Sequence, residues 1–251
     1  LGSHAARAAR ILMAAVLFGA QIALCLNNLF EAGWDVAGIV ESTRVLANGG
    51  VLQHDYYSMY PNNLMSVYLY GVVSLLLKAT GLWETIGFPV DIGAFSILNC
   101  ILSSLTGILL WRCARRLTCS KGTADIVWLL YAGLIGLSPW LIVPYSDSLS
   151  LLFPTLLLSI SLHPFRRSWT RWSLLGAVGA LGYAVKPQGA VMLIAIILGR
   201  LICDVLPVWH RRTSGRIRQW ACAGLALCLT AVVCFGLIGG LAPLFGFKLA
   251  P

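Results

Sequence analysis

Residues 63–79 read NLMSVYLYGVVSLLLKA, and the topology of the whole chain turns on how this run is disposed. It is apolar and close to the roughly 20 residues that a membrane-crossing helix needs. The charges on either side decide whether it crosses. Lysine and arginine favour the cytoplasmic flank of a membrane protein. Four basic clusters stand out: Arg7 and Arg10; Arg112, Arg115, Arg116 and Lys121; Arg166, Arg167 and Arg171; Arg211, Arg212, Arg216 and Arg218. All four share one side only if an even number of crossings separates each pair. Counting 63–79 as a crossing would place Arg112 to Lys121 outside. We therefore read this run as a re-entrant or interfacial helix, and residues 31–91 as one long external segment.

Working outward, the runs 11–30, 92–111, 124–143, 149–162, 173–185, 190–206 and 220–241 are the candidate crossings. The expected fold is all-α: a polytopic membrane protein of about seven transmembrane helices, with interfacial or re-entrant helices in the first external loop. Of the 18 Lys and Arg residues, this arrangement leaves only Arg44, Lys78, Lys186 and Lys248 outside or within the membrane, with Arg200 inside. The carboxylates show the opposite bias. Glu31, Asp35, Glu41, Asp55, Glu84, Asp91 and Asp147 fall outside, whereas Asp125 and Asp204 lie near the cytoplasmic face.

Composition agrees. The 251 residues are 59% hydrophobic and 11% charged, with a mean hydropathy of +0.83, far from the balance of a soluble domain. The net charge of +9 sits in short clusters between apolar runs, which reads as orientation in a membrane and excludes a nucleic-acid partner. Six of the eight cysteines lie inside apolar runs, and none is spaced as a zinc site or a disulfide framework. The first apolar run follows Arg7 and Arg10 as a signal peptide would, yet it is too long and lacks a small-residue cleavage site, so it reads as an uncleaved first span. No repeat divides residues 1–251, which form a single transmembrane module.

The chemistry concentrates outside. After the first span comes Trp34-Asp35, and then an amphipathic stretch in which Val36, Ile39, Val40 and Leu46 recur at helical spacing until Gly49 and Gly50 stop it. This predicts a short interfacial helix with Asp35 at its N-terminus, either as its cap, as a catalytic carboxylate, or as both. The stretch 54–63, HDYYSMYPNN, is the densest polar and aromatic cluster in the chain. Its Asp55, Tyr57, Tyr60, Asn62 and Asn63 can stack on and hydrogen-bond a sugar, or form an aromatic belt with Pro61 opening a helix. His54, beside Asp55, reads as an exposed loop residue. Asp147, in the short turn containing Tyr145, is either a helix cap or a second acidic group. Lys186, before Pro187, breaks two short apolar segments at membrane depth. It either snorkels to the interface or faces an anion, for which phosphate is the natural choice.

The order of these features resembles the GT-C superfamily of membrane glycosyltransferases, and within it the protein-mannosyltransferase-like, family 39-like bacterial branch. The likeness is carried by Trp34-Asp35, Tyr57-Ser-Met-Tyr-Pro-Asn-Asn-Leu64, Trp111-Arg-Cys-Ala-Arg-Arg-Leu117, Leu137-Ser-Pro139 through Tyr145-Ser-Asp-Ser148, and Tyr183-Ala-Val-Lys-Pro187. The resemblance implies an enzyme in a bacterial plasma membrane. It would transfer a sugar from a polyprenyl-phosphate donor to a glycan, lipid or protein acceptor on the extracytoplasmic side. It also implies Asp35 as base, Asp147 as the second loop's acid and Lys186 on the donor phosphate. Family members often pair the first acid with a second carboxylate that orients a metal. Here Val36 stands in that place, so no cofactor is assigned, and a divalent magnesium or manganese ion stays open. Because family members continue into further helices, the resemblance implies that this chain is either a fragment of such an enzyme, corresponding to its N-terminal module, or a minimal module.

Two other classes compete. A transporter or lipid flippase would also place a broken helix and a charged residue at mid-membrane, and would add pseudo-symmetric halves. A non-catalytic scaffold would use the same carboxylates only as helix caps.

Overall fold

The computed structural model describes residues 3–50, 54–60, 63–81, 89–205 and 214–244. Asn62, Glu84, Arg211, Arg212 and Lys248 lie outside the described residues, as do the side chains of His54, Asp55, Asp204, Arg216 and Arg218. Every regular element among the described residues is helical. In chain order these are α1 (Ser3–Leu26), α2 (Trp34–Ala47), α3 (His54–Met59), α4 (Leu64–Ala79), α5 (Val90–Thr118), α6 (Lys121–Tyr131), α7 (Ser146–Ser150), α8 (Leu152–Leu162), α9 (Ser168–Val185), α10 (Ala190–Val205) and α11 (Ser214–Leu244).

Among the described residues three helical stretches are long and apolar enough to cross a membrane: Arg7–Leu26, Val90–Thr118 and Trp220–Gly240. That is fewer than the seven runs suggest, and the backbone gives the reason. Residues 124–143 do not form one helix: α6 is followed by a π-helical turn, Ala132–Gly136, and a 3₁₀ turn, Pro139–Ile142. Ser146–Leu162 and Pro187–Cys203 are apolar but shorter, the first being divided at Leu151.

Side-chain contacts set the helix directions. Helix α1 runs antiparallel to α5: Arg10 stacks on Trp111 at one end, Gln21 donates to Ser103 across 3.2 Å, and the Cys25 and Cys100 sulfurs lie 3.5 Å apart further along. Arg116 at the end of α5 lies 3.1 Å from the His163 ring after α8, and Arg200 of α10 donates to the Ser161 carbonyl. Helices α9 and α11 run parallel, with Trp172 against Trp220 and Tyr183 against Phe235. Gly176 allows their close approach, since a Cβ there would sit 2.5 Å from the Leu227 carbonyl oxygen. Arg10, Arg115, Arg116 and Arg200 thus gather at one end of the bundle. Glu31, Asp35, Asp91 and Asp147 gather at the other, a helix length away along α5, whose 29 residues extend about 43 Å.

Polar side chains on the apolar α5 hold the irregular connection after α6. The non-α backbone there leaves carbonyls without helical partners, and within a bilayer such groups must be satisfied internally. Asn99 donates to the carbonyls of Leu141 and Val143, and Ser96 to that of Ile142. Gln21 takes the Gly136 carbonyl at 2.7 Å. These bonds place Tyr145 and Asp147 beside the segment 31–91 that follows α1.

That segment folds onto the bundle. Tyr70 of α4 is fully buried, stacks on Phe95 and donates to Asn99, while Ile39, Val40 and Leu46 of α2 complete the same core. Both ends of the 63–79 run are tied to this segment: Asn63 donates to Tyr56 and Lys78 to the Ala47 carbonyl.

Candidate functional site

The helix predicted after the first span forms as α2, but Asp35 is not its cap. Gly33 holds that position, and Asp35 is the second helical residue. The carboxylate still benefits from the unpaired amides and partial positive charge of the first turn. Trp34, immediately before it, has φ of 59° and a 98% exposed side chain. A non-glycine residue in the left-handed region costs on the order of 1–3 kcal/mol, which the surrounding packing must offset. The chain thus accepts strain where it delivers Asp35.

Tyr145 comes from the other side of the site, as the residue preceding α7, and its hydroxyl donates to Asp35 Oδ2 across 3.4 Å. The Tyr56 phenol of α3 lies within the influence of the same carboxylate, and the Asn63 amide donates to the Tyr56 hydroxyl at 2.8 Å. Burial and then the Asp35 carboxylate push the Tyr56 phenol well up. Burial, with the charges of Asp35 and Asp147, pushes Tyr145 up as well. Both phenols therefore stay protonated and can act as donors to Asp35.

Asp147 is likewise the second residue of its helix rather than its cap, a position held by Tyr145. Its partner is Lys186, with which it forms an ion pair; the Asp147 side chain remains 49% exposed. Lys186 caps the C-terminus of α9 in an extended conformation, and Pro187 prevents the helix from continuing. The turn is tight: a Cβ on Gly189 would lie 2.9 Å from the Gly182 carbonyl oxygen. The break predicted at Lys186 is thus a real corner that presents the ammonium toward Asp147.

The structure brings together Asp35, Asn63, Tyr145, Asp147 and Lys186, drawn from four separated parts of the sequence. Tyr60 is half exposed; its ring packs on Tyr56 and its carbonyl accepts from the Asn63 backbone N–H at 3.1 Å. Tyr57 points elsewhere: it is buried, and its hydroxyl donates to Ser42 of α2. Asp55 and Asn62 fall among the undescribed side chains and residues noted above. His54 begins a short helix instead of lying in a loop. Among the described residues no three His, Cys, Asp or Glu side chains gather as a metal site.

Two features escaped the sequence reading. Tyr56 is one of four tyrosines within 56–68, and nothing in the spacing singles it out. Arg44 anchors the segment beside the site, pairing with the buried Asp91 at 2.7 Å and with Glu31 at 2.9 Å. Its place in a segment otherwise rich in carboxylates was the available signal.

A bundle of apolar helices with one basic and one acidic end defines an integral membrane protein. Over residues 1–238 the chain matches the family described as conserved hypothetical integral membrane protein, and it belongs to that family. No curated protein and no solved structure matches it.

Proposed function

We propose that this protein is a membrane glycosyltransferase of the GT-C type, transferring a sugar from a polyprenyl-phosphate donor to an acceptor on the extracytoplasmic side of a bacterial plasma membrane. The supporting observation is the meeting of Asp35, Tyr145, Asp147 and Lys186 at the acidic end of the bundle. Capping or snorkelling gives these four residues no reason to meet, whereas a sugar-phosphate site needs a base and a cation within one substrate's reach. The same reading takes the broken segments as crossings, giving seven in all, and takes α2 to α4 as external interfacial or re-entrant helices.

In the proposed reaction Asp35 accepts the proton of the acceptor hydroxyl, and the acceptor oxygen bonds to the sugar's anomeric carbon. The bond from that carbon to the phosphate oxygen breaks, and its electron pair leaves with the polyprenyl phosphate. Tyr145 and Tyr56 hold Asp35 in place. Lys186, displaced from Asp147, meets the charge on the leaving phosphate.

The test is reconstitution of the purified chain in liposomes with a radiolabelled polyprenyl-phosphate sugar and membrane acceptors. Transfer that falls about a hundredfold in Asp35→Asn, with helix content and melting unchanged, supports the reading. Near-normal transfer by that variant removes Asp35 from the mechanism. Movement of the intact donor between leaflets without transfer would favour a flippase instead.

A further inference from the structure

At the opposite end of the bundle, α1, α5 and α6 line a half-open cavity of about 820 Å³ that plays no part in the proposed transfer. Its wall carries six cationic side chains, Arg7, Arg10, Arg112, Arg115, Arg116 and Lys121, against the single carboxylate of Asp125. That carboxylate is already committed. Arg10 donates to both of its oxygens, at 2.9 and 3.1 Å, and the Trp111 indole N–H donates to Oδ1 at 2.7 Å.

The Trp111 ring also carries two guanidinium groups, Arg10 at 5.3 Å and Arg115 at 5.5 Å from its centre. Cation–π stacking offsets part of the repulsion between them. With Asp125 occupied by Arg10 and Trp111, the remaining positive charge is matched by nothing on the cavity wall. Arginine presents a planar fork suited to bidentate contact with phosphate oxygens.

The rest of the wall is hydrocarbon: Ile11, Met13, Ala14, Ile108 and Trp128 line it, and Ile11 and Met13 are exposed on the bundle surface. A soluble anion would use the cations and leave this apolar face wet. An amphiphile uses both, with its phosphate among the arginines and its chains along Ile11 and Ile108. Basic pockets between membrane helices on the cytoplasmic side suit anionic lipid headgroups for this reason.

We propose that this cavity is a binding site for the phosphate headgroup of an anionic phospholipid of the cytoplasmic leaflet. The bound lipid neutralises the Arg112–Arg115–Arg116 row and ties α1 to α5 and α6 at the end remote from the acidic cluster. The inference is independent of the glycosyltransferase reading, since it uses none of that site's residues.

The experiment places the full-length protein in nanodiscs and delipidated detergent micelles, with native mass spectrometry counting retained lipid and a melting curve reporting stability. Phosphatidylglycerol is expected to be retained and to raise the melting temperature, whereas phosphatidylcholine is not. The double variant Arg112→Gln/Arg115→Gln should weaken phosphatidylglycerol binding about twenty-five-fold, because each cation near the surface contributes roughly fivefold. Arg166→Gln/Arg167→Gln, in a basic loop that does not line the cavity, should leave retention intact and serves as the control for charge alone.

Equal weakening in both double variants would overturn the proposal, reducing the effect to general attraction by the basic face. Inorganic phosphate or pyrophosphate that binds as tightly as the lipid would also overturn it, assigning the cavity to a soluble anion. If the Arg112/Arg115 variant fails to fold, Arg7→Gln at the rim of the cavity carries the same test, with about a fivefold loss expected.

Discussion

The hydroxyl of Tyr145 donates to the Asp35 carboxylate across 3.4 Å, joining positions 110 residues apart in sequence. A hydrogen bond to a charged group contributes about 1.5–3 kcal/mol, so Tyr145→Phe should lower transfer on the order of ten- to a hundredfold through misplacement of Asp35. The effect should largely disappear in an Asp35→Asn background, because Tyr145 acts through its hold on the Asp35 carboxylate. Additive losses in the double variant would separate Tyr145 from Asp35.

Lys186 is expected to act on the donor. Its pairing with a half-exposed Asp147 contributes little to stability, under about 1 kcal/mol, so Lys186→Gln should melt within a few degrees of the parent. Its transfer rate should nonetheless fall at least about tenfold, with KM for the polyprenyl-phosphate sugar rising. Steady-state kinetics over a donor series would decide this, and an unchanged KM and kcat would leave Lys186 with a structural role alone.

Arg44 is a stability residue. Its partner Asp91 is buried, so Arg44→Gln strands a carboxylate in the interior and should cost about 3–5 kcal/mol. Chemical unfolding in detergent measures the loss, and an Arg44→Gln/Asp91→Asn double variant should recover part of it. A single variant as stable as the parent would mean that water reaches Asp91.

Tyr56 gives a pH signature. Its phenol is raised above the ordinary value of 10, so the folded chain holds this proton after the unfolded chain has released its own. The stabilisation is fully present below about pH 10 and is lost as pH rises beyond it. Melting temperatures from pH 8 to 11 should therefore fall more steeply for the parent than for Tyr56→Phe. Parallel curves would show that Tyr56 is open to solvent.

What the sequence made legible was set by long-range charge and by breaks in apolar runs. The basic clusters sorted one end from the other, and the Lys186-Pro187 pair marked a corner that the backbone does make. Whether Asp35 and Asp147 cap their helices stayed open in the sequence because a cap and a first-turn carboxylate lie only one or two residues apart; the structure gives those cap positions to Gly33 and Tyr145. The inward turn of Tyr57 was equally hidden. Which of two adjacent tyrosines faces a core depends on where a six-residue helix sits against α2, and residue order alone does not encode that. The count of crossings was blurred at 124–143, since apolar content says nothing about whether a run keeps one helical geometry.

The π-helical turn at Ala132–Gly136 carries one residue more than an α-helical path over the same rise would need. Such a surplus acts as an angular setting. One residue corresponds to about 100° of rotation about the helix axis, so removing it would swing everything downstream by that angle before any other contact changed. Ser138, Tyr145 and Asp147 all lie downstream. The bearing of the acidic cluster relative to Asp35 is thus dialled in on the third segment, several turns from the chemistry, and held there by the Gln21 amide on the Gly136 carbonyl. A relative of this chain lacking that residue would need a differently angled first loop to face the same substrate.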